Sequence, residues 1–371
     1  METKISAYQL FAIMVLLLFG SAILFFLTPE AKQDAWLALL IYIPVGIIES
    51  LLYTNLYYKY PNDTIVTYLP KIFGKFIGYI LSVVYILYFT YLSARIVRDF
   101  SELILIVSLP ELPSLIVSIT IMVIFAYGAF AGIENISRAA QLTLPILMFF
   151  VILVFILLYA TPDVVKMQNL KPVLENGISS VIKHGWLLIT FPYGETIFFT
   201  MIYSSVNEAA NVRKVSLLAV LFVGIILSLN TIMFIVSLGV AGASASLFPL
   251  FSTMRLIKLG FLERLDVFVI VIMIIGGFFK VSIITYAAML GTSQLIKLKD
   301  PKYLAIPFGL VIVIFSIFIA KNYPEHIVIG LKWTPLYIHI PLQIIVPLTA
   351  LMIHYIKRGK KKSPYDCQNK G

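Results

Sequence analysis

The stretch Phe191-Pro192-Tyr193-Gly194-Glu195 lies inside a long apolar run, at residues 181–203 of this 371-residue chain. Proline removes a backbone donor, glycine loosens a helix, and a carboxylate in an apolar interior needs a partner or a ligand. A membrane helix tolerates such breakers only where the freed backbone groups face protein or a cavity. The stretch therefore predicts a broken membrane helix that forms a binding site.

The composition places the chain in a membrane. Hydrophobic residues make up 60% and charged residues only 12%, and the mean hydropathy is +0.98. A soluble globular domain is far less apolar. The first apolar run, residues 7–27, has no small-residue cleavage site after it and is too long for a signal-peptide core. It is therefore expected to be retained as the first membrane span.

Ten apolar runs approach the length of about 20 residues that a bilayer span requires. An even number of spans puts both ends of the chain on one side. A basic cluster starts at Lys357, and basic flanks mark the cytoplasmic side, so both termini and a basic tail over 357–371 are expected in the cytoplasm. The expected spans are 7–27, 36–58, 77–98, 114–131, 141–161, 181–203, 215–241, 265–291, 303–320 and 336–356.

The longest external connection, residues 161–180, divides the ten spans into two sets of five. The first span of each half carries helix breakers near its middle, Gly20-Ser21 in one and Pro192 with Gly194 in the other. Broken helices at corresponding positions are typical of inverted-repeat transporters with a midplane site. The predicted fold is an all-α, five-plus-five transporter-like bundle with broken helices one and six. It is a single transmembrane domain over 1–371, with half-repeats at about 7–161 and 181–356.

A broken helix can bind a small ligand that has both an amino and a carboxylate group. The carboxylate suits half-helix N-termini, and the amine suits carbonyls or a side-chain acid. Glu195 is the strongest candidate, and its alternative role is a structural carboxylate that is protonated or paired with a buried cation. Gly20 and Ser21 are alternatively close-packing residues. The predicted ligand-binding residues are Gly20, Ser21, Tyr88, Tyr91, Pro192, Tyr193, Gly194 and Glu195.

Three other ionisable residues, Glu49, Arg95 and Lys280, are expected to have a coupling or structural role. Glu49, in the second span, is a structural hydrogen-bond anchor or a proton carrier. Lys280 lies deep in the eighth span, where a lysine must snorkel, deprotonate or pair. It either replaces the bound cation of an ion-coupled transporter or forms a buried salt bridge with one of the acids.

Arg95 belongs to a polar face on the outer half of the third span. Arg95 and Asp99, and likewise Arg98 and Glu102, have the i,i+4 spacing of helical ion pairs. Such pairs let a helix protrude into water. The functional alternative is an external vestibule that leads to the midplane and is lined by Tyr88 and Tyr91.

Enzymatic motifs are missing from the sequence. The four histidines lack metal-binding spacing, and the chain contains neither a phosphate-binding glycine loop nor a nucleophile elbow. The single cysteine, Cys367, lies in the polar tail and excludes a disulfide framework. No catalytic residue, metal site, cofactor or nucleic-acid partner is therefore expected.

Three stretches of the sequence resemble the B subunit of the Ger-type spore germinant receptors, a branch of the amino acid, polyamine and organocation transporter superfamily. They are Ile5-Ser6-Ala7-Tyr8-Gln9-Leu10, Phe191-Pro192-Tyr193-Gly194-Glu195 and Glu263-Arg264-Leu265-Asp266. The resemblance covers nearly the whole length, including the ten-span count and the basic tail.

The resemblance implies a receptor subunit in the inner membrane of a dormant spore. Its partners would be an A subunit, itself a membrane protein, and a C subunit that is a lipoprotein. The complex would sense a small nutrient, such as an amino acid, and signal germination. By this analogy the pocket lies between spans one, three, six and eight, with Gly20, Ser21, Gly194 and Glu195 nearest the ligand.

Two other functions share these sequence features. A proton- or sodium-coupled amino acid transporter would use the same pocket and would be recognised by concentrative uptake. A gated ion channel subunit would be recognised by conductance that responds to nutrient, and the small number of charges available to line a pore argues against it.

Overall fold

The structure, a computed structural model, describes residues 4–258 and 266–359, except the side chains of 266–268 and 358–359. Helices joined by turns and irregular connections make up these parts of the chain, which contain no strand and one isolated bridge between Ile5 and Val206. Most of the third resemblance motif (263–265) and the tail from residue 360, including Cys367, lie outside the described residues. The α-helices are α1 (Ala7–Ala22), α2 (Ala35–Lys59), α3 (Ile65–Phe73), α4 (Lys75–Val107), α5 (Ser114–Ala160), α6 (Gly177–Gly185), α7 (Val212–Ala245), α8 (Pro249–Met254), α9 (Asp266–Ile296), α10 (Ala305–Phe318), α11 (Tyr323–Val328) and α12 (Val346–Gly359).

Seven helices in the described ranges are long and apolar enough to cross a membrane, which makes the chain a multi-pass membrane protein. They are α2, α4, α5, α7, α9, α10 and the final helix over Pro335–Lys357. Each coincides with at least one of the expected spans. The apolar α1 has only 16 residues, and the expected sixth span is not a regular α-helix. The count of ten spans, the inverted repeat and the orientation of the termini stay predictions.

A break at Gly132 divides α5. At about 1.5 Å per residue, the 47 residues of α5 would extend about 70 Å, more than twice the hydrocarbon core of roughly 30 Å. Gly132 has φ 84° and ψ 165°, a conformation that glycine adopts without steric cost. The two expected spans at 114–131 and 141–161 lie on either side of this residue.

The first helix is anchored at its start and buried along its length. The Ser6 hydroxyl accepts from the Gln9 amide at 3.1 Å, and the Gln9 side chain accepts from the Ser6 amide at 2.9 Å, which forms a capping box. Residues 12–24 are all buried, because α1 packs against α5, α7 and α9. The capping pair explains part of the Ile5–Leu10 motif in physical terms.

The interruption of the first span lies later than expected. The sequence predicts a break at Gly20-Ser21, but α1 continues through both residues to Ala22, and the chain is non-helical over 23–28. A Cβ on Gly20 would lie 2.6 Å from the Gly276 carbonyl oxygen of α9. Gly20 is therefore a close-packing residue within the helix, because its missing side chain lets α9 approach.

The outer surface of the bundle is apolar, as contact with lipid requires. Large hydrophobic side chains are exposed on α4, α5 and α10, and Phe76, Leu142 and Phe318 are each more than two-thirds exposed. In a soluble protein such a surface would be an aggregation hazard. In a bilayer it is the face that meets the acyl chains, and the polar groups of the protein lie inside.

Candidate functional site

The segment that carries Pro192 is not a continuous α-helix. The α-helix α6 ends at Gly185, a 3-10 turn covers Trp186–Ile189, and a second 3-10 stretch covers Tyr193–Met201. The turn between the two stretches contains Pro192, which has no amide hydrogen to donate. We call residues 177–205 the broken segment. All residues of its second stretch are buried, so Glu195 is held inside the protein.

Glu195 and Lys280 form an ion pair in the interior. Lys280 Nζ lies 2.5 Å from Glu195 Oε2, and both side chains are almost completely shielded from solvent. Lys280 Nζ also lies 4.8 Å from the centre of the Phe191 ring. Glu195 Oε1 makes no hydrogen bond with any residue that the structure describes. The pair compensates two charges that would each be costly alone in a low-dielectric interior.

A small cavity of about 70 Å³ adjoins this ion pair. It lies between α1, α4, the broken segment and the helix that begins with α11. Glu195 and Ser21, which the sequence predicts as ligand-binding residues, both line it, and so does Arg95. The other lining residues are Phe25, Leu92, Ile96, Asp99, Phe191, Ile327, Gly330, Leu331 and His339.

Arg95 supplies the positive charge of the cavity. Its Nη2 donates to the His326 carbonyl oxygen at 2.8 Å, and its Nη1 lies 3.5 Å from the Tyr91 hydroxyl. Within the described residues no carboxylate lies at ion-pair distance from this guanidinium. A Cβ on Gly330 would lie 1.9 Å from Arg95 Nη2, so a glycine at this position makes room for the guanidinium.

The polar face of α4 is buried against α11. Asp99 is bonded to His326 Nε2 at 3.1 Å and to the Tyr323 hydroxyl at 3.2 Å. The expected pair between Arg95 and Asp99 is therefore absent, whereas Arg98 and Glu102 do form an ion pair, at 2.7 Å. Because both arginines are buried, this part of α4 does not protrude into water. It forms a polar contact with α11 beside the cavity, which Asp99 also lines.

The remaining predicted residues of the broken segment lie outside the cavity lining. The Tyr193 hydroxyl donates to the Leu39 carbonyl oxygen at 2.7 Å, so its side chain points to α2. A Cβ on Gly194 would lie 2.3 Å from Gln343 Oε1, which makes Gly194 a packing residue. Pro192 acts through the backbone, because it ends one helical stretch and begins the next.

Tyr88 and Tyr91 are not among the residues that line the cavity. The Tyr88 hydroxyl lies 2.7 Å from His339 Nδ1 and accepts from Gln343 Nε2 at 2.8 Å. The Tyr91 hydroxyl lies 2.9 Å from the Thr334 hydroxyl. Both tyrosines therefore bond to residues of the C-terminal helical region, and the external vestibule stays a prediction.

Glu49 makes no hydrogen bond with its carboxyl group among the described residues. Its side chain is 4% exposed, and both carboxyl oxygens are buried without a hydrogen bond within the part of the chain that the structure describes. The hydrogen-bond anchor expected from the sequence is therefore not formed by this carboxyl group.

The final helix contributes residues that the sequence analysis did not assign to the site. Ile329–Trp333 and Pro335–Ile345 have π-helical geometry. His339 and Gln343 of this helix are buried, and so is His326 of α11. These polar residues interrupt an apolar stretch of the sequence, and such an interruption indicates a buried polar site. The scattered spacing of the histidines argues only against metal binding. Among the described residues no cluster of three potential metal ligands exists.

Comparisons with known proteins agree on one family and one fold. Residues 4–324 match the family Spore_permease, described as "Spore germination protein". Spore germination protein KB of Bacillus subtilis (strain 168) is 38% identical over 97% of this chain and 97% of its own length. Spore germination protein XB of Bacillus anthracis is 24% identical over 70% of this chain and 72% of its own length.

The solved structure of MhsT in complex with L-phenylalanine has the same fold. It aligns with a TM-score of 0.66 at 11% sequence identity and covers 96% of this chain and 99% of MhsT. At this identity the likeness concerns the arrangement of helices. The transporter-like fold expected from the broken helices is thereby confirmed at the level of overall architecture.

Proposed function

Because this chain belongs to the spore germination protein family, we propose that it is the nutrient-binding subunit of a germinant receptor. In this proposal it lies in the inner membrane of the spore with both termini in the cytoplasm. It works with an A subunit that is a membrane protein and a C subunit that is a lipoprotein. The likeness to the relatives KB and XB supports the assignment to the B type of subunit.

The observation that carries the proposal is that Arg95 and Glu195, which have opposite charges, line one small cavity, whereas the third ionisable group on it, Asp99, is bonded to Tyr323 and His326. Arg95 has no carboxylate partner among the described residues, and Glu195 uses only Oε2 for Lys280. A ligand with a carboxylate and an ammonium group would satisfy both. The volume of about 70 Å³ favours a small molecule, and an amino acid is a small molecule with both groups. Its carboxylate binds Arg95 and its ammonium group binds Glu195 Oε1.

Signalling follows from where the cavity lies. The ligand bridges α4, which belongs to the first expected half of the chain, and the broken segment, which belongs to the second. Binding therefore favours the packing of the two halves in which both charges reach the ligand. The A subunit responds to this change in packing. A signal arises only if the ligand binds the favoured packing more tightly than the other packing.

Germination of spores tests the proposal. Spores with the native chain are compared with spores that carry Arg95→Met or Glu195→Gln at matched subunit level, across a panel of amino acids, sugars and nucleosides. A charge-assisted hydrogen bond contributes about 1.5–3 kcal/mol. The nutrient concentration for half-maximal germination should therefore rise by about tenfold to somewhat more than hundredfold for an amino acid.

The matched control is Tyr127→Phe, which changes an exposed side chain on the lipid-facing surface of α5. It should leave the dose-response unchanged. A dose-response that also stays unchanged in Arg95→Met, with the subunit present at the native level, would contradict the proposed ligand site.

A second candidate is a proton- or sodium-coupled amino acid transporter. The observation that favours it is the shared fold with MhsT, which was solved in complex with L-phenylalanine. Purified protein in proteoliposomes distinguishes the two functions. Concentrative uptake of an amino acid, driven by a proton or sodium gradient, would favour the transporter, and binding without uptake would favour the receptor.

A further inference from the structure

Glu49 is a buried acid that the proposed ligand site does not use. It lies on α2, and neither of its carboxyl oxygens has a hydrogen-bond partner among the described residues. Glu195 differs, because it is compensated by Lys280. A carboxylate in a membrane interior with neither a cation nor a donor beside it is expensive. The neutral acid has a much smaller desolvation cost, so the surroundings of Glu49 suit a proton-bearing carboxyl group.

The packing of α2 shows what Glu49 faces. One turn before it, Gly46 packs against the Tyr193 ring, since a Cβ on Gly46 would lie 2.8 Å from Tyr193 Cβ. One turn after it, the Tyr53 hydroxyl donates to the Gln343 carbonyl oxygen at 2.7 Å. This face of α2 therefore points to the broken segment and to the final helix.

Gln343, on the final helix, also has a side-chain oxygen without a hydrogen-bond partner. Its Oε1 is buried and accepts no hydrogen bond within the described residues. Its Nε2 donates to the Tyr88 hydroxyl, which leaves the Tyr88 proton for His339 Nδ1. His339 lines the cavity. Hydrogen bonds thus join His339 on the cavity lining to Tyr88 and Gln343, and the Gln343 backbone carbonyl accepts from Tyr53 on the face of α2 that carries Glu49.

We propose that Glu49 is a proton-binding site on a face of α2 that packs beside the hydrogen-bonded residues Gln343, Tyr88 and His339, the last of which lines the ligand cavity. In the conformation described here Glu49 carries the proton, and movement of the final helix alters the surroundings of the carboxyl group. The proton site follows from the geometry, whereas its link to nutrient binding rests on the proposed function.

Titratable groups surround Glu49 on several helices. Two of these groups, Glu195 and Lys280, are charged and form an ion pair with each other. The others are phenols and one imidazole. The groups that face this region are Tyr53 on α2, Tyr85 and Tyr88 on α4, Tyr193, Glu195 and Tyr203 on the broken segment, Lys280 on α9 and His339 on the final helix.

Infrared spectroscopy of the full chain in lipid nanodiscs tests the proton site without any ligand. Spectra recorded over a range of pH should contain the C=O stretching band of a protonated carboxylic acid at neutral pH. Glu49→Gln should lose this band. Glu134→Gln should keep it, because Glu134 is a solvent-exposed acid paired with Arg138. An identical band in the native chain and in Glu49→Gln would overturn the proposal.

A second measurement uses the native chain alone, in case the variant does not fold. Dicyclohexylcarbodiimide reacts with protonated carboxyl groups in apolar surroundings, and mass spectrometry of the digested protein locates the adduct. Modification of Glu49 that decreases as the pH rises is expected. Glu49 left unmodified at low pH, while another buried acid reacts, would contradict the assignment.

Tyr88→Phe tests the connection to the cavity. It removes the hydroxyl that joins Gln343 to His339, so the pH midpoint of the Glu49 band should shift. An unchanged pH midpoint of this band would contradict the link between Glu49 and the cavity, but it would not contradict the proton site itself. Because none of these measurements uses a nutrient, their outcome is independent of the germination assay.

Discussion

Replacing Lys280 by methionine should destabilise the protein strongly. Methionine has nearly the same length as lysine and fits an apolar interior, so the packing of α9 is retained while the charge is lost. Glu195 would then be a buried carboxylate without the partner that lies at 2.5 Å in the native protein. Removing one partner of a buried ion pair typically costs about 3–5 kcal/mol.

The stability lost by removing one partner of this ion pair has an upper limit, because the side chain that remains can become neutral. Protonating a carboxyl group of ordinary pKa, about 4.3, at pH 7 requires about 3.7 kcal/mol. Neutralising a lysine of ordinary pKa, about 10.4, requires about 4.6 kcal/mol. We therefore expect about 3–4 kcal/mol for Lys280→Met and about 4–5 kcal/mol for Glu195→Gln. The cost of Lys280→Met should fall to about 1.6 kcal/mol at about pH 5.5, and that of Glu195→Gln should not.

Equilibrium unfolding in mixed detergent micelles measures these free energies, with tryptophan fluorescence as the signal. The double variant Glu195→Gln/Lys280→Met has no buried charge at this position and should lie within about 1–2 kcal/mol of the native protein. Lys71→Met is the matched control, because the pair between Lys71 and Asp63 has an exposed lysine. Such a pair contributes no more than about 1 kcal/mol.

Two results would refute this reasoning. One is a loss of unfolding free energy in Lys280→Met that is no larger than the loss in Lys71→Met. The other is a double variant as unstable as the sum of the two single variants, which would mean that Glu195 and Lys280 do not interact.

Two further variants test the packing around the cavity with the same unfolding assay. Gly20→Ala should cost about 1–3 kcal/mol, because the new Cβ would lie 2.6 Å from the Gly276 carbonyl oxygen; Gly309→Ala, whose Cβ would lie 3.6 Å from its nearest neighbour, should be close to neutral. His326→Phe keeps a ring beside Tyr323 but removes the contact with Asp99, and it should cost about 1–3 kcal/mol.

Equal stability of Gly20→Ala and Gly309→Ala would show that α1 and α9 can separate freely at this contact. Native stability of His326→Phe would show that the contact between α4 and α11 does not depend on the bond to Asp99.

The sequence by itself determined the class of the protein and much of its layout. Apolar runs of about 20 residues can be satisfied only in a bilayer, so seven of the helices fall where hydropathy places them. Pro192 is equally informative, because a missing amide hydrogen interrupts a helix whatever surrounds it. The broken segment and the buried Glu195 were therefore predictable from local chemistry alone.

Only the tertiary structure determined which residues are in contact with one another. Glu195 and Lys280 are 85 positions apart, Gly20 touches Gly276, and His326 and His339 reach the site from the far end of the chain. These contacts depend on how each helix is rotated about its axis. In a membrane protein hydropathy hardly constrains that rotation, because both lipid and protein interior accept apolar side chains. The rotation is set by close packing and by the need to compensate buried charge, and both depend on residues distant in sequence.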